Sequence, residues 1–170
     1  MTVVLLLVLA GLQGGAPDLF DLQLDLQGIY DEFSQAIMQF DAPSDIDTFH
    51  DVFYTTDWAF VDAAGVHHSW TEMREHAVQA LNQPRLESMQ QMILKLAVVP
   101  GGAQTTAQLT VVRTILDEEG KYGRKGATHT LTETTVFHDA WMKSGESWKW
   151  KSREQVGKTT VLVDHAPSFM

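Results

Sequence analysis

Residues 129–156 constrain the fold more than any other stretch, because two strand-like runs flank a short polar link. The first run is rich in Thr, Val, Phe and Trp, which suit a half-buried pleated surface. The link contains Gly145, which tolerates a left-handed turn conformation. The second run alternates with period two, placing Trp148, Trp150 and Ser152 on a packed face and Lys149, Lys151 and Arg153 on a solvent face. The stretch therefore predicts a long antiparallel hairpin at the centre of a curved sheet.

The chain before this hairpin reads as helices followed by strands. A helical period begins at Gln27, and Ser44 is expected to cap a short second helix. A strand over 54–61 and a turn over 62–65 come next. A third helix is then predicted from the capping box of Ser69 and Glu72. Further strands over 86–99 and 105–116, with a polar loop over 117–126, complete a segregated α+β pattern.

Charge and composition exclude several classes of partner. The net charge is −10, and twelve of the 22 acidic residues precede the first basic residue, Arg74. Without a basic stripe, binding to nucleic acid is not expected, and anionic membrane surfaces are disfavoured. The chain has no cysteine and therefore no disulfide or thiol chemistry.

The apolar run over 3–12 is too short to span a bilayer, which takes about 20 residues. Its length is typical of a secretory signal, although no Lys or Arg precedes it. We expect a signal peptide over 1–16, a domain over 17–156 and a C-terminal tail over 157–170. The protein would then be secreted or periplasmic. If the run is instead a buried first strand, the protein would be cytoplasmic.

Three motifs, in this order and spacing, resemble a known superfamily. They are the strand and turn over 53–65, the capped helix over 69–77 and the hairpin over 139–150. Together they resemble the cone-shaped α+β barrel proteins that include nuclear transport factor 2, ketosteroid isomerase and the SnoaL-like polyketide cyclases. The likeness extends over about 27–156.

The resemblance implies a strongly curved antiparallel sheet wrapped around three N-terminal helices, with a largely apolar pocket and a homodimer formed through the outer sheet face. Apolar residues on both faces of the late strands also favour a second packed face. We expect the pocket to lie between the first helix, the third helix and the concave sheet. The candidates for its lining are Trp58, Trp70, Met73, Arg113 and Thr134.

In ketosteroid isomerases an Asp at the end of the first strand moves a proton, while a Tyr and a protonated Asp stabilise the enolate oxygen. The resemblance places this base at Asp62, but it places the other two groups at or near Ala36 and Thr134. Neither replacement rebuilds an oxyanion hole, so steroid isomerisation is not expected. Asp62 also reads as the first residue of an Asp-x-x-Gly turn, and we predict that role.

The other polar residues give only weak evidence for a metal site, a catalytic base or a ligand anchor. His67 and His68 lie on opposite faces of a strand and cannot both reach one metal ion from it. His129 and His138 also lie on opposite faces, and either could be a lone pocket base. Arg113 and Glu133 read as a cross-strand ion pair, or as an anchor for a charged ligand. We expect neither a metal nor a cofactor.

Three functions remain open from the sequence. The first is binding of a small, largely apolar organic molecule in the barrel pocket without strong catalysis. The second is acid–base chemistry of the isomerase, dehydratase or cyclase type, with Asp62 or a pocket histidine as base. The third is a non-catalytic dimeric interaction module.

Overall fold

The computed structural model describes residues 18–82 and 86–165. The predicted signal peptide over 1–16 lies outside these ranges, as does the end of the predicted tail. The helices are α1 (Leu19–Gln39), α2 (Pro43–Phe53) and α3 (Trp70–Ala80). The strands are β1 (Tyr54–Val61), β2 (His67–Ser69), β3 (Ser88–Val99), β4 (Gly102–Asp117), β5 (Ala127–Ser144) and β6 (Ser147–His165).

These elements form the predicted α+β cone-shaped fold. The strands make one curved, open sheet in the order β2-β1-β6-β5-β4-β3. All neighbouring strands are antiparallel except β1 and β6, which run parallel. On β4 and β5 the odd-numbered positions face the helices, as the buried side chains of Ala107, Leu131 and Trp141 show. The even-numbered positions therefore face outward.

Helix α1 begins at Leu19, well before the predicted start at Gln27. The Asp18 side chain accepts a hydrogen bond from the Phe20 N–H and caps the helix. Leu22 and Leu26 are buried two turns and one turn before Tyr30, respectively, so the apolar stripe starts earlier than the sequence suggested. The Asp18 cap and the packing of this stripe in the core together set the start of the helix.

Of the two predicted caps, the one of α3 is confirmed and the one of α2 is wrong. In α3, Ser69 and Glu72 form the predicted capping box, with the Glu72 carboxylate accepting from the Ser69 N–H at 2.7 Å. The prediction that Ser44 caps α2 is wrong, because the N-cap is Ala42 and Pro43 is the first helical residue. Asp45 reaches back and accepts from the Ala42 N–H at 3.0 Å, which satisfies the end of the helix without a Ser cap.

The central hairpin is confirmed, with β5 and β6 meeting at a two-residue turn in which Gly145 has φ 63°. Strand β6 continues past the predicted domain boundary at 156 and pairs with β5 as far as His165. Gly157 has φ 70° and lies in an irregular segment where three residues of β6 face Thr135. Residues 157–165 thus belong to the sheet.

A bulge in β6 makes the predicted sides of the sheet wrong for Ser152 and Arg153. Ser152 pairs with Ala140 and Trp150 pairs with Trp141, which leaves Lys151 as an extra residue without a partner on β5. The extra residue reverses the alternation beyond it. Arg153, expected in solvent, is consequently buried opposite Asp139, and Ser152 does not share the inner face with Trp150.

Candidate functional site

A hydrogen-bonded polar cluster occupies the interior between α1 and the sheet. The Tyr30 hydroxyl donates to the Asp139 carboxylate at 2.5 Å and lies 2.7 Å from the Thr105 hydroxyl. The Arg153 guanidinium donates to both oxygens of Asp139, at 2.8 and 2.9 Å, and to the Gln91 side-chain oxygen at 2.6 Å. Each of these five residues is less than a tenth exposed. The cluster ties α1 to four strands of the sheet.

The surroundings of this cluster strengthen its charges and hydrogen bonds. The Arg153 guanidinium carbon lies 4.1 Å from the ring centroid of Trp150 and 4.2 Å from that of Phe137. Burial by itself would lower the pKa of Arg153, but the charge and hydrogen bonds of Asp139, together with Tyr30 and Tyr54, raise that pKa. Burial, followed by the Asp139 charge, raises the pKa of the Tyr30 hydroxyl, which is therefore a poor acid. Because the charges neutralise one another, the cluster is suited to holding the fold together.

Sequence reasoning missed this cluster. A tyrosine of the first helix and an aspartate of a late strand do meet in the interior, but they are Tyr30 and Asp139 rather than residues at Ala36 and Thr134. Asp139 alternates with the buried Phe137 and Trp141, so period two alone places its carboxylate on the packed face. This signal was available in the sequence.

An open depression lies where β1, β2 and the start of α3 meet. Its volume is about 610 Å³, and we call it the Trp58–Trp70 depression after its two indole side chains. The lining residues are Thr56, Asp57, Trp58, Ala59, His67, His68, Ser69, Trp70, Thr71 and Glu72. A neighbouring depression of about 400 Å³ shares Thr56 and Asp57 with it and adds His50 and Tyr54. The structure thus brings together two of the five predicted pocket residues.

Aromatic packing fixes the two indoles of this depression. The rings of Trp58 and Trp70 meet nearly edge to face, with centroids 6.1 Å apart and an interplanar angle of 81°. Trp70 stacks on His50 of α2 at 4.2 Å, and Trp58 packs on Tyr54 at 4.7 Å. Arg74 of α3 forms a bidentate ion pair with Asp47 of α2, at 2.5 and 2.7 Å, which holds the two helices together. The two indoles therefore form a corner with a defined shape.

The carboxylates of the depression are ionised at neutral pH. The nearby Thr55 hydroxyl lowers the pKa of Asp57, and the hydrogen bond from the Ser69 N–H lowers the pKa of Glu72. Neither Lys nor Arg is among the lining residues. The depression consequently presents indole surface and negative charge side by side.

Asp62 adopts the geometry of a turn residue. One carboxylate oxygen accepts from the Ala64 N–H at 2.8 Å and from the Val66 N–H at 2.9 Å. The other oxygen lies 3.2 Å from Nε2 of His68. The hydrogen bonds from Val66, His68 and Ala64 lower the pKa of Asp62. A lowered pKa makes the carboxylate a weaker base than a free one.

Replacing Asp62 with Asn should change little. The Asn side-chain oxygen can accept the same two backbone hydrogen bonds, and Asn is as common in such turns. We expect an unchanged midpoint of urea denaturation and unchanged affinity for a small molecule. A loss of turnover by a factor of about 100 with binding intact would instead identify Asp62 as a general base.

The remaining predicted pocket residues lie elsewhere. Met73 of α3 packs against the hydrophobic core. Arg113 on the inner face of β4 pairs with Glu133 of β5 at 2.7 Å, the cross-strand ion pair that the sequence allowed. Thr134 takes an even-numbered position of β5 and so belongs to the outer face. The structure does not bring these three residues together with Trp58 and Trp70.

The two strand histidines occupy opposite faces of β5, as predicted. His129 is buried, with Nε2 at 3.8 Å from the Asp117 carboxylate, and His138 is exposed on the outer face. Within residues 18–82 and 86–165 no three His, Asp or Glu side chains gather in a way that could hold a metal ion. Across the same ranges, no helix has both the length and the apolar character needed to cross a bilayer.

Solved structures with the same fold are similar to this chain at low sequence identity. A Mycobacterium tuberculosis protein of unknown function has a TM-score of 0.60 at 17% identity and covers 93% of this chain and 80% of its own. A conserved protein from Planctomyces limnophilus has a TM-score of 0.59 at 12% identity, with 84% and 99% covered. A hexachlorocyclohexane dehydrochlorinase has a TM-score of 0.53 at 10% identity, with 89% and 97% covered.

These likenesses concern the fold. They are consistent with the cone-shaped fold of the superfamily that includes nuclear transport factor 2, which the three sequence motifs predicted. No family model matches the chain, and no curated protein matches it either.

Proposed function

We propose that this protein binds a small organic molecule with a largely apolar body, in the Trp58–Trp70 depression and without strong catalysis. The observation that carries the proposal is the corner of two indoles lining a depression of about 610 Å³. Small-molecule sites commonly measure about 300–1,000 Å³ and combine aromatic walls with a few polar groups. The site differs in place from the interior pocket that the resemblance implied, because Tyr30, Asp139 and Arg153 occupy the interior.

The arrangement around the depression favours binding over catalysis. Large catalytic effects come from fixed dipoles in a site from which water is excluded. This depression is open to solvent, and the nearby Asp62 carboxylate is engaged by backbone N–H groups. Tyr30 and Asp139 form a hydrogen-bonded pair, but both are buried in the interior, away from this depression.

Acid–base catalysis is the second candidate, and one contact favours it. His68 lines the depression, and its Nε2 lies 3.2 Å from the Asp62 carboxylate. A carboxylate that orients an imidazole leaves the other ring nitrogen available as a base. If this dyad catalyses a reaction, replacing His68 with Gln should abolish turnover while substrate still binds.

The binding proposal predicts that Trp70 is needed for affinity. With Nile red, a flat neutral dye, we expect saturable fluorescence enhancement that weakens about tenfold in Trp70→Ala, because the exposed wall of the corner is removed. Trp148→Ala is the matched control, since Trp148 is a half-buried indole of the hairpin outside the lining residues. Equal affinity in the Trp70 variant and the parent would contradict the proposal.

We also propose that two copies of the chain associate through the outer face of the sheet. The even-numbered positions of β4 over 104–116 and of β5 over 128–142 carry Thr, Val, Gln, Leu, Ala, His and Met, with no Asp, Glu, Lys or Arg. Interfaces are depleted of charge in the same way at their centres. An uncharged outer face on β4 and β5, in a chain of net charge −10, supports a second copy as its occupant.

Export to the periplasm or the exterior remains our proposal for location. It rests on the apolar run over 3–12. Sequencing of the mature chain tests it, since a start between Gly11 and Asp18 supports export and an intact Met1 on abundant cytoplasmic protein contradicts it.

A further inference from the structure

The Trp58–Trp70 depression has a charge pattern that narrows the chemistry of its ligand. Its lining includes the carboxylates of Asp57 and Glu72 and no Lys or Arg. Outside the lining, the positive charge of Lys151 also lowers the pKa of Asp57. Neighbouring polar groups lower the pKa of both carboxylates, so both are negative at neutral pH.

The indole corner is suited to the same kind of ligand. The faces of Trp side chains attract cations more strongly than those of Tyr or Phe. Trp58 and Trp70 meet at 81° with centroids 6.1 Å apart, and a cationic group in this corner is attracted by an indole face rather than by a ring edge. His50 stacks on the Trp70 ring, and Trp70 is one of the residues that line the depression.

Trp58 adds an independent polar feature. It is 7% exposed, and its Nε1 has no hydrogen-bond partner within the part of the chain that the structure describes. A buried N–H without a partner is costly, so a small shift of the ring toward a ligand oxygen would be favourable. This N–H is buried, so it would reach only an acceptor atom on the apolar body of a ligand and does not add to the attraction for a cation.

We propose that the Trp58–Trp70 depression selects small organic cations, namely ammonium groups carried on an apolar body. The cationic group sits in the indole corner and is countered by Asp57 and Glu72. This inference rests on the proposed binding function and names its ligand class. The acidic first half of the chain, which has no Lys or Arg before Arg74, adds a long-range attraction for such molecules.

Two probes of the same shape and different charge test the inference. Phenyltrimethylammonium and tert-butylbenzene differ by the replacement of a charged nitrogen with carbon. Titration of the full chain, followed by nuclear magnetic resonance shifts of the Trp indole N–H signals, should give about tenfold tighter binding of the cation. This preference should fall about threefold or more in Asp57→Asn and in Glu72→Gln, and it should weaken with added salt.

The control variants separate charge at the site from charge elsewhere. Glu72→Gln keeps a side chain that can complete the capping box, so α3 is retained. Glu146→Gln removes one negative charge at the β5–β6 turn and should leave the preference unchanged.

The outcomes distinguish this inference from the binding function on which it rests. Equal or tighter binding of tert-butylbenzene, with binding still dependent on Trp70, overturns the inference and leaves the binding function standing. If Nile red binds and phenyltrimethylammonium does not, the inference about cations is likewise overturned and the binding function stands. If no probe binds in a way that depends on Trp70, both are overturned.

Discussion

Replacing Asp139 with Ala should lower the free energy of unfolding by about 3–5 kcal/mol, because breaking a buried ion pair leaves the other charge uncompensated. Arg153 would lose both of its charge-assisted hydrogen bonds to Asp139 while remaining buried between aromatic rings. The Tyr30 hydroxyl would lose its acceptor at the same time. Urea denaturation followed by Trp fluorescence measures the change.

A matched variant shows whether burial is the cause. Glu133→Ala removes another β5 carboxylate that pairs with an arginine of a neighbouring strand, but the Arg113 and Glu133 side chains are 30% and 23% exposed. That change should cost no more than about 1 kcal/mol. The double variant Asp139→Leu, Arg153→Met should recover much of the loss, since apolar replacement of a buried pair is often neutral. A cost below about 1 kcal/mol for Asp139→Ala would contradict the role given to this pair.

Light scattering at micromolar concentration should give twice the chain mass of 19.0 kDa. Thr132→Lys should reduce this to the mass of one chain, because Thr132 lies on the outer face of β5 between Val112 and Leu162. In a symmetric interface, lysines introduced at one position occur in both copies and are desolvated without partners.

The comparison for this variant is Gln79→Lys, which adds the same charge to an exposed position of α3. It should leave the dimer intact. A parent protein of monomer mass, or a Thr132 variant that dimerises as tightly as the parent, would refute association through this face.

Much of the fold could be predicted from local pattern. Period two identified the hairpin, and Ser69 followed three residues later by Glu72 located the start of α3. Both depend on residues close together in the chain, whose geometry the backbone imposes directly. The start of α1 was missed, because packing in the core with residues from distant strands stabilises the helical conformation of Leu22 and Leu26. The same limit applies to the site, where β1, β2 and α3 bring Trp58 and Trp70 together.

Arg153 shows which features the sequence determined and which feature was decided by the tertiary structure. The sequence by itself determined that residues 148–153 form a strand with one packed face, since alternation of Trp and Lys is a local property. It did not determine which face Arg153 takes, because one extra residue at Lys151 reverses every position beyond it. Tertiary structure decided the matter: β5 offers the Asp139 carboxylate and α1 the Tyr30 hydroxyl at the point where the guanidinium enters the core. An arginine can be buried there because its charge is compensated by residues from distant parts of the chain.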